Sequence, residues 1–118
     1  MRRLILTFLL GMVSMSLSAS HIIGGFISYR HLGSHRYEVT LTVYRDCYYG
    51  IPNFDNPAYV GVYRANGQLY RTLSLADPIV TKLQPALQNP CVIIPPTICV
   101  QKGIYRDTLY LPPSSGGY

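Results

Sequence analysis

Three histidines, three cysteines and five carboxylates are the residues of this chain whose types suit chemistry. His21, His31 and His35 fall close together, and imidazole suits copper; a chain beginning at His21 would also offer its terminal amine to the ion. The plainer role of His31 and His35 is that of solvated residues in a hairpin turn, and three histidines at this spacing specify no metal site. Asn53, Asp55 and Asn56, with Asp46 nearby, present oxygens in the manner of a calcium site. A calcium loop supplies several carboxylates at fixed spacing, whereas this run ends in Asn56-Pro57, a turn initiator, so an Asx-type turn is expected. Glu38, Asp46, Asp55, Asp77 and Asp107 show no glycosidase-like pairing along the chain. No serine sits in a G-x-S-x-G elbow. The expectation is a protein without catalytic residues, metal or cofactor.

The cysteines point to structure instead of catalysis. Cys91 and Cys99 bracket the Pro95-Pro96 turn, which folds the segment back and invites a Cys91–Cys99 disulfide. Closing so short a loop contributes on the order of 2–3 kcal/mol in the chain-entropy model. Cys47 is then left over, and an odd cysteine in a secreted protein implies a free thiol, an intermolecular bond or a missing partner. Tyrosine is the other conspicuous type, with 11 copies and no tryptophan. Tyr is apolar at one end and wet at the other, so exposed copies can stack on sugar rings or meet protein partners. In strands, Tyr equally reflects β-propensity and cross-strand packing. The Cys47-Tyr48-Tyr49 loop, with Phe54 further along, is the expected recognition patch.

These residues must be positioned by strands. Tyr37, Val39, Leu41 and Val43 alternate with Glu38, Thr40, Thr42 and Tyr44, the period of two of a half-buried strand. Ile22 to Arg30 is a weaker strand, interrupted by Gly24-Gly25, where a bulge or close backbone approach is expected. His31 to His35 turns it back into a hairpin. Ala58 to Arg64 and Leu69 to Leu75 flank Asn66-Gly67, a dipeptide suited to a type I′ turn. Ile104 to Leu111 is the last strand before Pro112-Pro113. Two connections read as irregular: Asp46 to Pro57, and Ala76 to Thr97 with Pro78, Pro85, Pro90, Pro95 and Pro96. No helical period follows residue 20. The expected fold is all-β, an antiparallel β-sandwich of Ig-like or jelly-roll-like kind, in one domain over residues 21–118.

Composition agrees with that class and narrows the location. The 118 residues are 48% hydrophobic and only 13% charged, with 10 Gly and 9 Pro, which excludes a disordered polyelectrolyte. Met1-Arg2-Arg3, the apolar run Leu4 to Val13 and the small residues Ser14 to Ser20 have the three regions of a secretory signal peptide. The apolar run is too short to span ~30 Å of hydrocarbon. Cleavage after Ser18 or Ser20 fits the small-residue pattern. The implied partners are the Sec machinery and signal peptidase, and the expected location is secreted or on the outer cell surface, with no membrane span after cleavage. The formal charge of +5 includes Arg2 and Arg3. The remaining basic residues are scattered singly along the chain, not grouped in the stripe that nucleic acid requires.

Several segments together resemble a bacterial family. They are Ser20-His21-Ile22-Ile23-Gly24-Gly25, Ile27-Ser28-Tyr29, the strand Tyr37 to Cys47, Asn89-Pro90-Cys91, Pro95-Pro96 with Cys99-Val100, and Leu111-Pro112-Pro113-Ser114 with Gly116-Gly117-Tyr118. They are similar to the N-terminal module of large secreted proteins of gliding-type bacteria. Such proteins carry PKD-type β-sandwich repeats and a gliding-motility-associated C-terminal sorting domain read by the type IX secretion route. The resemblance implies a structural or adhesive surface module with downstream domains of the same polypeptide, and an extracellular glycan or protein as ligand. It assigns no catalytic residues. In that family an Arg-Cys-Cys strand follows the Gly-Gly-Tyr turn, so the resemblance implies a truncated module in which Cys47 lacks its partner. The other class of function open to these residues is a carbohydrate-active module, binding sugar through exposed Tyr or acting through a metal at His21.

Overall fold

A computed structural model describes residues 22–50, 52–84, 93 and 95–118. The expected signal peptide over residues 1–20, His21, Cys91 and much of the Pro-rich connection lie outside the described residues. The described chain is all-β, with six strands and two antiparallel sheets. They are β1 (Ile22–Gly33), β2 (Arg36–Asp46), β3 (Ala58–Tyr63), β4 (Leu69–Leu75), β5 (Ile79–Leu83) and β6 (Val100–Tyr110). Sheet A has the order β1-β2-β6-β5, and sheet B is the β3-β4 hairpin. Together they form an incomplete β-sandwich.

The alternation in β2 sets its inner face. Val39 is buried, Tyr37, Leu41 and Val43 are half-buried, and all pack with Leu109 and Tyr105 of β6 and with Leu73 and Leu75 of β4. β2 and β6 pair along their whole lengths, from Arg36↔Tyr110 to Asp46↔Val100, and so form the centre of the sheet. β5 corrects the reading of Ala76 to Thr97 as wholly irregular. Ile79–Leu83 is free of proline between Pro78 and Pro85, and it pairs with β6 as an edge strand. Proline beside an edge strand interrupts no interior ladder.

The turns divide their chemistry differently from the sequence expectation. In the β1–β2 hairpin Gly33 pairs with Arg36, and both central residues, Ser34 and His35, have positive φ (49° and 60°), as type I′ demands. At Ala65-Asn66 only the following Gly67 has positive φ (81°). There the Gly67 N–H donates to the Arg64 carbonyl at 2.8 Å, the arrangement of a type I turn closed by a left-handed glycine. Asn66 accepts a bond from the Gln68 N–H through its side-chain oxygen at 3.0 Å, which holds the turn without a positive φ of its own. At Gly24-Gly25 both expected features occur. The register shifts between Ile22 and Gly24, and a Cβ on Gly25 would stand 2.6 Å from the Thr42 carbonyl oxygen.

The disulfide joins Cys47 to Cys99, with Cα atoms 5.0 Å apart. This corrects the expected Cys91–Cys99 pair and the expectation that Cys47 lacks a partner. The reason is register: Asp46 faces Val100 in the β2–β6 ladder, so one step further Cys47 meets Cys99. The Cys47 N–H also donates to the Cys99 carbonyl at 2.9 Å. Proximity across a sheet outweighs proximity along the chain.

Candidate functional site

The loop that leaves β2 at the disulfide builds a small aromatic and polar site. Asp46 begins it as an Asx turn: one carboxylate oxygen accepts the Tyr48 N–H at 2.7 Å and the Tyr49 N–H at 3.4 Å. That turn throws both rings outward, 53% and 61% exposed, in an edge-to-face pair with centroids 4.6 Å apart. The disulfide at Cys47 fixes the base of the turn. Two exposed tyrosines on a rigid turn lose little conformational entropy on binding.

Behind them the loop folds onto sheet A. Arg45 holds it: Nε donates to Gln101 Oε1 at 2.8 Å, Nη1 donates to the Pro52 carbonyl, and the guanidinium lies 5.3 Å from the centre of the Phe54 ring. Phe54 fills the place a side chain at position 103 would take, since a Cβ on Gly103 would meet its ring at 2.9 Å. The buried Tyr105 hydroxyl donates to the Asp55 carbonyl at 2.7 Å. Burial pushes the Tyr105 pKa above the ordinary 10.0, and the Asp55 carboxylate adds to the rise. Asn56 and Asp77 bond reciprocally, Asn56 Nδ2 to Asp77 Oδ1 at 3.1 Å and the Asp77 N–H to Asn56 Oδ1 at 3.0 Å. Arg45, Phe54, Asp55, Tyr59 and Tyr105 line a cavity of about 260 Å³. Arg45 and Tyr105 spend their polar groups on holding the loop, which leaves mainly aromatic surface to meet a ligand.

The sequence candidates separate as follows. Tyr48, Tyr49 and Phe54 belong to this one loop, but Phe54 is a half-buried anchor and not part of the exposed pair. His31 lies against Tyr37 with ring centres 4.9 Å apart, and His35 against Tyr110 at 6.2 Å. Tyr37 pairs with Leu109 and Tyr110 with Arg36, so the two tyrosines point to opposite faces of sheet A and the two imidazoles do not converge. Among the described residues no group of three His, Cys, Asp or Glu side chains gathers as metal ligands. Asn56 is engaged with Asp77 instead of turning toward Asp55. Sequence reasoning missed Arg45, Tyr59 and Tyr105 as parts of the site. The strands that carry Tyr59 and Tyr105 were visible, but the folding of the Pro52–Asp55 stretch onto these residues was not.

No family model, curated protein or solved structure matches this chain. No helix among the described residues is long and apolar enough to cross a membrane.

Proposed function

We propose that this chain is a non-catalytic structural or adhesive module of an exported cell-surface protein. The observation that carries the proposal is the Cys47–Cys99 disulfide at the base of the exposed Tyr48–Tyr49 pair. A disulfide persists in oxidising compartments, and here it stiffens an aromatic surface suited to contact. The signal-peptide pattern of residues 1–20 and the resemblance to surface modules of gliding-type bacteria support the same location. The Sec machinery would then export the chain, and signal peptidase would trim it. Downstream domains of the same polypeptide would carry the module.

The exposed tyrosine pair favours sugar as the ligand class, because the flat ring face of a pyranose stacks on an aromatic side chain. His21 lies outside the described residues, and His31 and His35 diverge, so nothing in the geometry favours a metal-dependent reaction. The test is expression of the 118-residue chain in an exporting host, followed by N-terminal sequencing and a glycan-binding screen. Removal of the leader, an intact disulfide and glycan binding lost in Tyr48→Ala and Tyr49→Ala are expected. An uncleaved cytoplasmic product, or turnover of a bound glycan, would overturn the proposal.

A further inference from the structure

Sheet A is four strands wide, but sheet B covers only part of its inner face. β4 packs against β6, and β3 sets Val60 and Val62 on the core beside it. Ile27 and Tyr29 of β1 share that inner face with Leu41 and Val39 through their register. Yet Ile27 is 57% exposed and Tyr29 77%, against 8% for Val39. Between this bare strip and sheet B runs a cavity of about 500 Å³. Four successive β3 residues, Val60 to Tyr63, line it. Within that run Gly61 offers only backbone, and the register shifts between Val62 and Tyr63. Among the described residues β3 pairs with β4 alone, so this edge presents unpaired backbone N–H and C=O groups. At its end the Ala65 N–H donates to the Gly117 carbonyl at 3.2 Å, and Gly117 and Tyr118 close that end of the cavity.

We propose that the open β3 edge is an acceptor for one extended strand of a partner polypeptide, with apolar side chains at alternate positions. Backbone bonds to β3 would give affinity, and the alternate apolar side chains would cover Ile27 and Tyr29. The gap holds one strand, because strands sit about 4.8 Å apart and β1 is the one strand of sheet A left bare on this side of sheet B. That width also argues against a second copy pairing β3 to β3. Two such edges would stand one strand spacing apart, while the two β1 strands beneath need room of their own. Among the described residues every strand already has its place in a sheet.

The probe is a short blocked peptide with valine at alternate positions and threonine or lysine between, added to the full chain. Fluorescence anisotropy reads binding, and hydrogen exchange reads the amides of Val60 to Tyr63. The expected result is saturable binding with slowed exchange at those amides. The same peptide N-methylated on alternate amides should bind at least about tenfold more weakly, as should the wild-type peptide to Ile27→Lys. Ile27 is exposed, so this variant should keep the parent's melting point, and the N-methyl control tests the wild-type protein in any case. Absence of binding, binding indifferent to N-methylation, or exchange unchanged at β3 would each overturn the proposal. So would a dimer by light scattering whose β3 amides are already protected without peptide. The inference concerns the β3 edge alone and stands whether or not the Tyr48–Tyr49 loop binds sugar.

Discussion

Replacing Cys99 with alanine removes a covalent link that spans 52 residues. In the chain-entropy model a loop of that length contributes about 4 kcal/mol, whereas a Cys91–Cys99 loop would contribute about 2.5 kcal/mol. At the usual slope for a domain of this size, the larger loss lowers the melting point by roughly 15–30 °C. Each cysteine is changed to alanine singly, and urea unfolding is followed with and without reductant. Cys47→Ala and Cys99→Ala should match each other and match the reduced parent. Cys91→Ala should keep a reductant-sensitive transition close to the parent's. The comparison works because the ladder already places the two residues opposite one another, as Asp46↔Val100 and the Cys47–Cys99 backbone bond show. The folded state therefore carries little ordering cost that belongs to the disulfide alone. A non-reducing peptide map containing Cys91 joined to Cys99 would refute the reasoning. So would a neutral Cys47→Ala beside a costly Cys91→Ala.

Leu75 is fully buried in the core, so Leu75→Ala should cost about 2–5 kcal/mol in urea unfolding. Gly25→Ala should cost about 1–3 kcal/mol because its Cβ meets a backbone oxygen that cannot rotate away; Gly24→Ala, with open space around its Cβ, should stay within about 0.5 kcal/mol of the parent. Tyr105→Phe loses the bond to the Asp55 carbonyl and should cost about 1 kcal/mol at neutral pH. Tyr105 also predicts an alkaline effect, since its folded pKa lies above 10.0. The folded state holds that proton more tightly than the unfolded chain, so its stabilisation is complete below pH 10 and fades as pH rises through the folded pKa. A pH series of urea midpoints should therefore fall less steeply above pH 10 in Tyr105→Phe than in the parent, and equal slopes would contradict the assigned burial.

The strands that were legible in the sequence are those whose neighbours lie close along the chain. Tyr37 to Tyr44 declares its inner face by alternation alone, and the two hairpins by their turn residues. What escaped was set by pairing between distant segments. β5 is five residues long and owes its place to a ladder with β6, which no local pattern records. Cys47 and Cys99 read as unrelated until β2 and β6 are laid side by side, and the Cys91–Cys99 expectation followed chain distance where sheet distance decides. The same holds at the turns: Asn66-Gly67 has the favoured composition for type I′, yet the register gives that geometry to Ser34-His35, where a two-residue connection favours the primed turns. In the site, Tyr48 and Tyr49 were visible as an exposed pair because they flank a cysteine and a glycine. Arg45 and Tyr105 were hidden because their partners, Pro52, Phe54 and Asp55, lie in a loop without periodicity.

The exposed apolar surface has a physical reading of its own. Val39 and Tyr29 face the same side of sheet A, one strand apart, and each offers an apolar body to whatever covers it. One is buried and the other bare solely because β3 and β4 end their cover between them. Burying Ile27 and the body of Tyr29 would contribute about 1.5–3 kcal/mol for each side chain, comparable to the whole loss expected from a core truncation. A surface of that size beside an unpaired strand edge is also a route to aggregation. Both costs disappear together when a single strand occupies the groove, since the backbone groups and the side chains that need cover lie along the same line. The edge and the bare strip are therefore one feature, and the partner that satisfies one must satisfy the other.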